Sequence, residues 1–299
     1  MIKKLTLCLT LFFLSLTGCG NEKEVVPEVD TYQKETLQYK TISETDANLI
    51  SLDVYHYNKP TQSKPVVIWV HGGAWAVGDK ANSLDNKLNL FSSLGYLFVS
   101  INYRLSPNPA QLTNPDRIKF PNHNDDVADA VKWIVENIQD YGGNADKMVL
   151  MGHSAGAHLV ALSGTSAAFL PARSIALNKL KGIAAIDTEG YNVSEEAMTG
   201  NETYLNAFGA NDTEWTQASP IAQVFSGTAY PKFFIAKRGS ATRIGRADAF
   251  ISKLQSVGVN VSQVTGNQYD HEGINEAIGK AGETAITEPL KVFLALCFQ

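Results

Sequence analysis

Residues 149–159 read VLMGHSAGAHL, and Ser154 stands two residues from a glycine on either side, directly after an apolar run. A serine hydroxyl in this setting has two uses: capping a helix by accepting a backbone N–H, or attacking a carbonyl carbon once a base takes its proton. The pentapeptide G-x-S-x-G is weak by itself, so the context decides. Before it lies the strand-like MVLMG and after it the helix-like AGAHLVALSG. A serine exposed on a sharp strand-to-helix turn needs small residues two before and two after, because strand and helix approach closely there. This favours a nucleophile. A second stretch, VVIWVHGGAWAVGDK at residues 66–80, again runs from an apolar strand into consecutive small residues. Without bulky side chains in the way, the N–H groups of Gly73 and Ala74 can face a substrate oxygen, and Ala155 can add a third donor to the same oxyanion hole.

Positioning these residues requires a large sheet. Eight short apolar, β-branched runs read as strands: TLQYKTI, LISLDVYHY, VVIWV, LFVSINY, MVLMG, GIAAI, KFFIA and NVSQV. Helices are predicted at 82–93, 124–138, 155–169, 244–257 and 284–297, the second carrying Val127, Val131, Ile134 and Ile138 on one face. Strand–helix alternation predicts a mostly parallel sheet covered on both faces, and the absence of a helix between the earliest strands predicts an antiparallel hairpin there. A chain of 299 residues with 44% hydrophobic content supports one such core.

With these motifs in place, the sequence resembles the α/β-hydrolase superfamily, in particular its esterase branch with an HGG(G/A)W oxyanion motif. The matching pieces are HGGAWAVGDK, INYRLSP, DDVADAVKWI, YGGNADKMVLMGHSAGAHL, and YLNAFG followed by ASP, spread over about residues 45–295. The resemblance implies an α/β-hydrolase fold with an eight-stranded, mostly parallel sheet, and hydrolysis of carboxylic esters by a serine, acid and histidine triad. In that superfamily the order along the chain is serine, acid, histidine. Of the six histidines, only His271, in YDHEGIN, lies beyond the last strand, which makes it the expected base for Ser154. The acid departs from the pattern. Where HGxxDxxV would supply an aspartate after the seventh strand, the chain reads AKRGSATRI and offers Thr242. A threonine carries no charge to stabilise an imidazolium. Asp187, at the end of the sixth strand, is the preferred replacement; Glu189, Asp248, Asp270 or no acid at all are the alternatives.

The remaining features bound the function. The 25 basic and 30 acidic residues form no long like-charge run, so no nucleic-acid partner is expected. No metal-ligand spacing and no phosphate-binding glycine loop is present, and no cofactor is expected. Lys3 and Lys4 precede an apolar stretch, Leu5 to Leu16, which reads as an export signal over residues 1–18. It ends in Leu16-Thr17-Gly18-Cys19, which resembles the lipobox of bacterial lipoproteins and marks Cys19 for lipidation, with anchoring to a membrane of the bacterial cell envelope. Residues 19–35 would be a polar tether and 36–299 the hydrolase domain. Of three cysteines, Cys8 leaves with the signal and Cys19 carries lipid, so Cys297 has no disulfide partner. Arg104 and Asp126 read as a structural ion pair, and Trp75 either lines an acyl pocket or packs beneath the oxyanion turn. The leading function is a serine carboxylesterase acting on short acyl or carbohydrate-linked acyl esters. An arylformamidase or amidase on the same scaffold and a catalytically silent binding lipoprotein are the other two readings, with loops 105–122 and 188–230 expected to set specificity.

Overall fold

The computed structural model describes residues 32–58 and 63–299. The expected signal segment, Cys19 and the tether up to residue 31 lie outside the described residues. The domain begins earlier than expected: β1 spans Tyr32–Gln38, so residues 32–35, assigned to the tether from sequence, are sheet. The remaining strands are β2 (Ser51–Tyr57), β3 (Lys64–Val70), β4 (Leu97–Ile101), β5 (Gly143–His153), β6 (Gly182–Ile186), β7 (Lys232–Lys237) and β8 (Val261–Thr265). They form one sheet in the order β1-β2-β4-β3-β5-β6-β7-β8. β1 and β2 pair antiparallel, as do β2 and β4, and every other pair is parallel. This is the α/β-hydrolase architecture that the resemblance implied.

Nine α-helices lie among the described residues: α1 (Asp85–Ser93), α2 (Asn122–Asn137), α3 (Ala155–Thr165), α4 (Val193–Ala197), α5 (Glu202–Phe208), α6 (Asp212–Ala218), α7 (Ala241–Ser256), α8 (His271–Ala277) and α9 (Thr287–Phe298). The five helices read from the sequence are α1, α2, α3, α7 and α9, each within a few residues of its expected bounds.

Helices cover both faces because the central strands bury apolar side chains on both sides of the sheet. In β3, Val66, Ile68 and Val70 join one core with Val127, Val131 and Ile134 of α2, while Val67 and Trp69 join the opposite core with Phe91 of α1 and Phe293 of α9. β5 divides likewise, Met148 and Leu150 to one side, Val149 and Met151 to the other. α3 is buried along its whole length, which fixes the serine at its start against the ends of the parallel strands. The insertion 188–230 folds into the short helices α4, α5 and α6. Loop 105–122 is tied to α5, with Asn206 donating to the Pro107 carbonyl at 2.9 Å and Phe120 N–H donating to the Ala207 carbonyl at 2.7 Å.

Candidate active site

Ser154 occupies the residue between β5 and α3 with φ 55° and ψ −120°, a conformation that costs a non-glycine residue energy and is held only by its surroundings. Although it stands at the N-cap position, its side chain makes no capping bond. Its hydroxyl instead lies 2.8 Å from Nε2 of His271. The turn is held at its base by Ser154 N–H donating to the Ile186 carbonyl at 3.0 Å. The close approach anticipated from the small residues is present: a Cβ on Gly156 would sit 2.1 Å from the Val70 carbonyl oxygen.

His271 opens α8, whose N-terminus is capped by Asp270 accepting from Gly273 N–H at 2.7 Å. The imidazole Nδ1 lies 2.7 Å from Oδ2 of Asp187. These partners fix the tautomer: Nδ1–H donates to the carboxylate and Nε2 accepts from the serine. Asp187 follows β6 with φ 51° and is 1% exposed. Burial would raise its carboxyl, but the His271 N–H and the charge and N–H groups of Arg243 outweigh this and hold it below the usual carboxylate range. The other acids considered are committed elsewhere: Asp248 pairs with Lys237, Glu189 with Arg243 and Arg246, and Asp270 with the α8 N-terminus. Thr242 lies in the first turn of α7.

Three further residues complete this arrangement and were not anticipated. Arg238 Nε donates to Asp187 Oδ2 at 2.6 Å, and Arg243 Nε donates to Asp187 Oδ1 at 2.9 Å. Arg238 stands where the HGxxDxxV pattern has its histidine, in the same AKRGSATRI stretch that lacks the usual acid. His153, the residue before Ser154, donates from Nε2 to the His271 carbonyl at 2.8 Å and so ties His271 to the end of β5. Burial, and then the neighbouring His271, push the His153 imidazole down to about 3, so it is neutral. His153, Asp187 and His271 bring possible ligand atoms within 4.8 Å of one another. Both His271 nitrogens are engaged in the line from Ser154 to Asp187, which leaves none for an ion.

Gly73, Ala74 and Trp75 turn with φ of 108°, 51° and 60°. A Cβ on Gly73 would lie 2.0 Å from the Val77 carbonyl oxygen, so glycine is required there. The Gly73 carbonyl accepts from Ala76 and Val77 N–H at 3.0 and 2.9 Å, closing the turn. Among the described residues the Gly73 and Ala74 N–H groups enter no hydrogen bond. Ala155 N–H belongs to the first turn of α3, where no intrahelical acceptor exists. Trp75 packs beneath this turn: it is buried against Tyr204 and Phe208 and donates from Nε1 to Nδ1 of His158 at 3.2 Å. His158 in turn donates from Nε2 to the Ala218 carbonyl at 2.8 Å, and burial pushes its imidazole down to about 4. Arg104 and Asp126 form the expected ion pair, at 2.8 Å and buried at the carboxylate.

Two clefts flank the oxyanion turn. One of about 610 Å³ is lined by His71, Gly72, Gly73, His153, Glu272 and Asn275, among others. The second, about 370 Å³, lies between Ala74, Val77, Pro107, Pro109 and Glu202, where loop 105–122 meets α5.

The chain is similar to known esterases in sequence and in fold. Over 211 residues the chain is 32% identical to Esterase LipQ of Mycobacterium tuberculosis, covering 67% of this chain and 48% of the relative. Over 212 residues it is 28% identical to the probable carboxylic ester hydrolase LipM of the same organism, covering 66% and 46%. The chain thus spans about half the length of these relatives. Among solved structures, Esterase B from Lactobacillus rhamnosis superposes with a TM-score of 0.70 at 21% identity, covering 89% of this chain and 86% of that one. A truncated carbohydrate esterase from gut microbiota gives 0.69 at 16% identity, covering 91% and 99%. The sequence model of the BD-FAE family matches residues 52–260, a span that includes Gly73, Ala74, Ser154 and Asp187, and the chain belongs to that family.

Proposed function

We propose that this chain is a serine carboxylesterase in which Ser154 is the nucleophile, His271 the general base, Asp187 the acid, and the N–H groups of Gly73, Ala74 and Ala155 the oxyanion donors. The observation that carries the reading is the unbroken line from Ser154 Oγ to His271 Nε2 at 2.8 Å and from His271 Nδ1 to Asp187 Oδ2 at 2.7 Å. The hydroxyl attacks the ester carbonyl as its proton passes to His271 Nε2, and the negative charge on the carbonyl oxygen falls to the backbone donors. Collapse of this intermediate breaks the ester C–O bond. His271 returns its proton to the departing alcohol, leaving an acyl group on Ser154. Water, deprotonated by His271, then attacks the acyl carbon, and the carboxylic acid leaves as Ser154 recovers its proton. Asp187 stays ionised throughout and stabilises the imidazolium.

Short acyl esters and acyl groups on carbohydrates are the proposed substrates. The relatives' names support this: LipQ is an esterase, and one structural neighbour is a carbohydrate esterase. The catalytically silent reading rested on Thr242 and finds no support in the placement of Asp187. Hydrolysis measured across p-nitrophenyl esters of increasing acyl length, acetylated sugars and N-formyl amides tests the reading. Turnover of short esters and acetylated sugars above the amides is expected, and turnover of N-formyl amides alone would replace it with an amidase.

The Leu16-Thr17-Gly18-Cys19 sequence supports export and attachment to a cell-envelope membrane through a lipid on Cys19. Cys19→Ala is expected to move the protein from the detergent phase to the aqueous phase on partition. Unchanged partition would remove the anchor from this reading.

A further inference from the structure

We infer that Arg238 and Arg243 are positioning residues that share the charge of the Asp187 carboxylate and thereby keep His271 a neutral base further towards acid pH. The inference rests on the triad assignment above. Its starting point is the crowding at one buried carboxylate. Oδ2 of Asp187 accepts from Arg238 Nε at 2.6 Å and from His271 Nδ1 at 2.7 Å, while Oδ1 accepts from Arg243 Nε at 2.9 Å and lies 2.8 Å from Arg243 Nη2. Two guanidinium groups and one imidazole therefore draw on a single negative charge.

A desolvated aspartate alone beside an imidazole would favour the imidazolium strongly. Such a histidine would hold its proton to higher pH, and would be free to take the one on Ser154 only above that pH. The guanidinium groups oppose that extra charge because each sits on the same carboxylate that would neutralise it. They do so unequally. Arg243 divides its charge with Glu189, whose Oε2 lies 2.5 Å from Nη1. Among the described residues, Asp187 is the one hydrogen-bond and ion-pair partner of the Arg238 side chain.

The other groups facing this pair do not supply the same effect. From β5, His153 is neutral for the reason given above, and its ring centroid lies 4.6 Å from that of His271. Behind Asp187, Tyr191 stays a neutral phenol because burial raises it. On the base's own helix, Asp270 caps the N-terminus and Glu272 is exposed. Glu195 and Glu196 are paired with Arg246 of α7. Lys87 of α1 contacts α8 at the Asn275 carbonyl and is common to every variant below, so it cancels in their differences.

The test compares Arg238→Gln, which keeps an N–H donor without charge, with Arg238→Lys, which keeps the charge. Histidine Cε1 resonances are titrated by NMR in the Ser154→Ala background, with His271 assigned by His271→Gln, and the acid limb of kcat/KM is recorded in the active proteins. The His271 midpoint should rise by about one pH unit in Arg238→Gln and stay in place in Arg238→Lys, as one charge a few ångströms away in a half-screened site requires. The acid limb should follow. An unmoved midpoint in folded Arg238→Gln overturns the inference, even if turnover falls, because arginine would then act only as a spacer. If that variant does not fold, Glu189→Gln decides: freeing Arg243 from its second partner should lower the midpoint by a few tenths of a unit, and no shift overturns the inference. The NMR midpoint is read without substrate, so it stands whatever the activity screen returns.

Discussion

At Ser154 and Asp187 the backbone is held at positive φ, and at each residue the strain delivers a side chain to the same imidazole. Ser154→Ala should therefore keep the fold and lose ester hydrolysis, since alanine accepts the turn but offers no nucleophile. Retention of more than about a tenth of wild-type turnover in a p-nitrophenyl acetate assay would remove Ser154 from its role. Asp187→Asn should lower kcat by about 10³ to 10⁴, because the amide can hold the wrong tautomer and carries no charge for the imidazolium. Asp248→Asn, at the Lys237 ion pair, should stay within about threefold of wild type, as surface pairs are worth little. A reversal of these two results would move the acid to the segment after β7. Much of this was legible residue by residue. Ser154 and His271 announce themselves by neighbours and chain order, and Asp187 by ending a fully apolar strand. Arg238 and Arg243 were not legible, because nothing local distinguishes an arginine that faces a buried carboxylate from one that faces water.

At the scale of elements, the placement of Ser154 depends on how tightly α3 docks against β3. A Cβ on Gly156 would meet the Val70 backbone oxygen at 2.1 Å, and neither backbone can give way without moving the serine. Gly156→Ala should cost about 2–3 kcal/mol, within the usual range for overpacking, and should lower kcat as well. Equal thermal midpoints for the two proteins would show that the contact is not limiting. Which elements the sequence disclosed follows from how they are buried. β3 to β7 are apolar on both sides and α2 carries a clear stripe, so their patterns stand out. β1 was placed four residues late because most of Tyr32–Gln38 is exposed at the sheet edge and carries no alternating apolar face. α4, α5 and α6 have five to seven residues each, too few for a helical period to emerge. Asn201 and Asn211, whose side chains accept from Thr203 and Thr213 N–H, were the one local sign of two of these helices.

At the scale of the molecule, α1 and α8 are joined by a buried lysine. Lys87 donates to the Ser83 and Asn275 carbonyls at 3.0 Å each and lies 4.6 Å from the Trp69 ring centroid. Burial pushes its ammonium down from 10.5 to about 7, with Glu276 and Glu272 opposing the shift. Between these values the unfolded chain binds a proton that the folded chain has released, so stability gains with rising pH across that window and the term is flat below it. The stability difference between wild type and Lys87→Met, read from urea midpoints, should move in the wild type's favour from about pH 7 to about pH 10. A difference independent of pH there would mean that the lysine stays charged when folded. The overall architecture was legible because strand–helix alternation leaves few topologies open; the relation between α1 and α8 was not, since it joins residues far apart in sequence. The same distance governs the site. Ser154 meets His271 across 117 residues and His271 meets Asp187 across 84, each arriving on a different part of the sheet's rim. A fragment that lacks the segment of Ser154, of Asp187 or of His271 lacks the proposed centre, and a chain in which these segments have not docked is expected to be inert. Catalytic competence is thus a readout of complete docking rather than of secondary structure alone, and during refolding it is expected to return no earlier than the helices and strands.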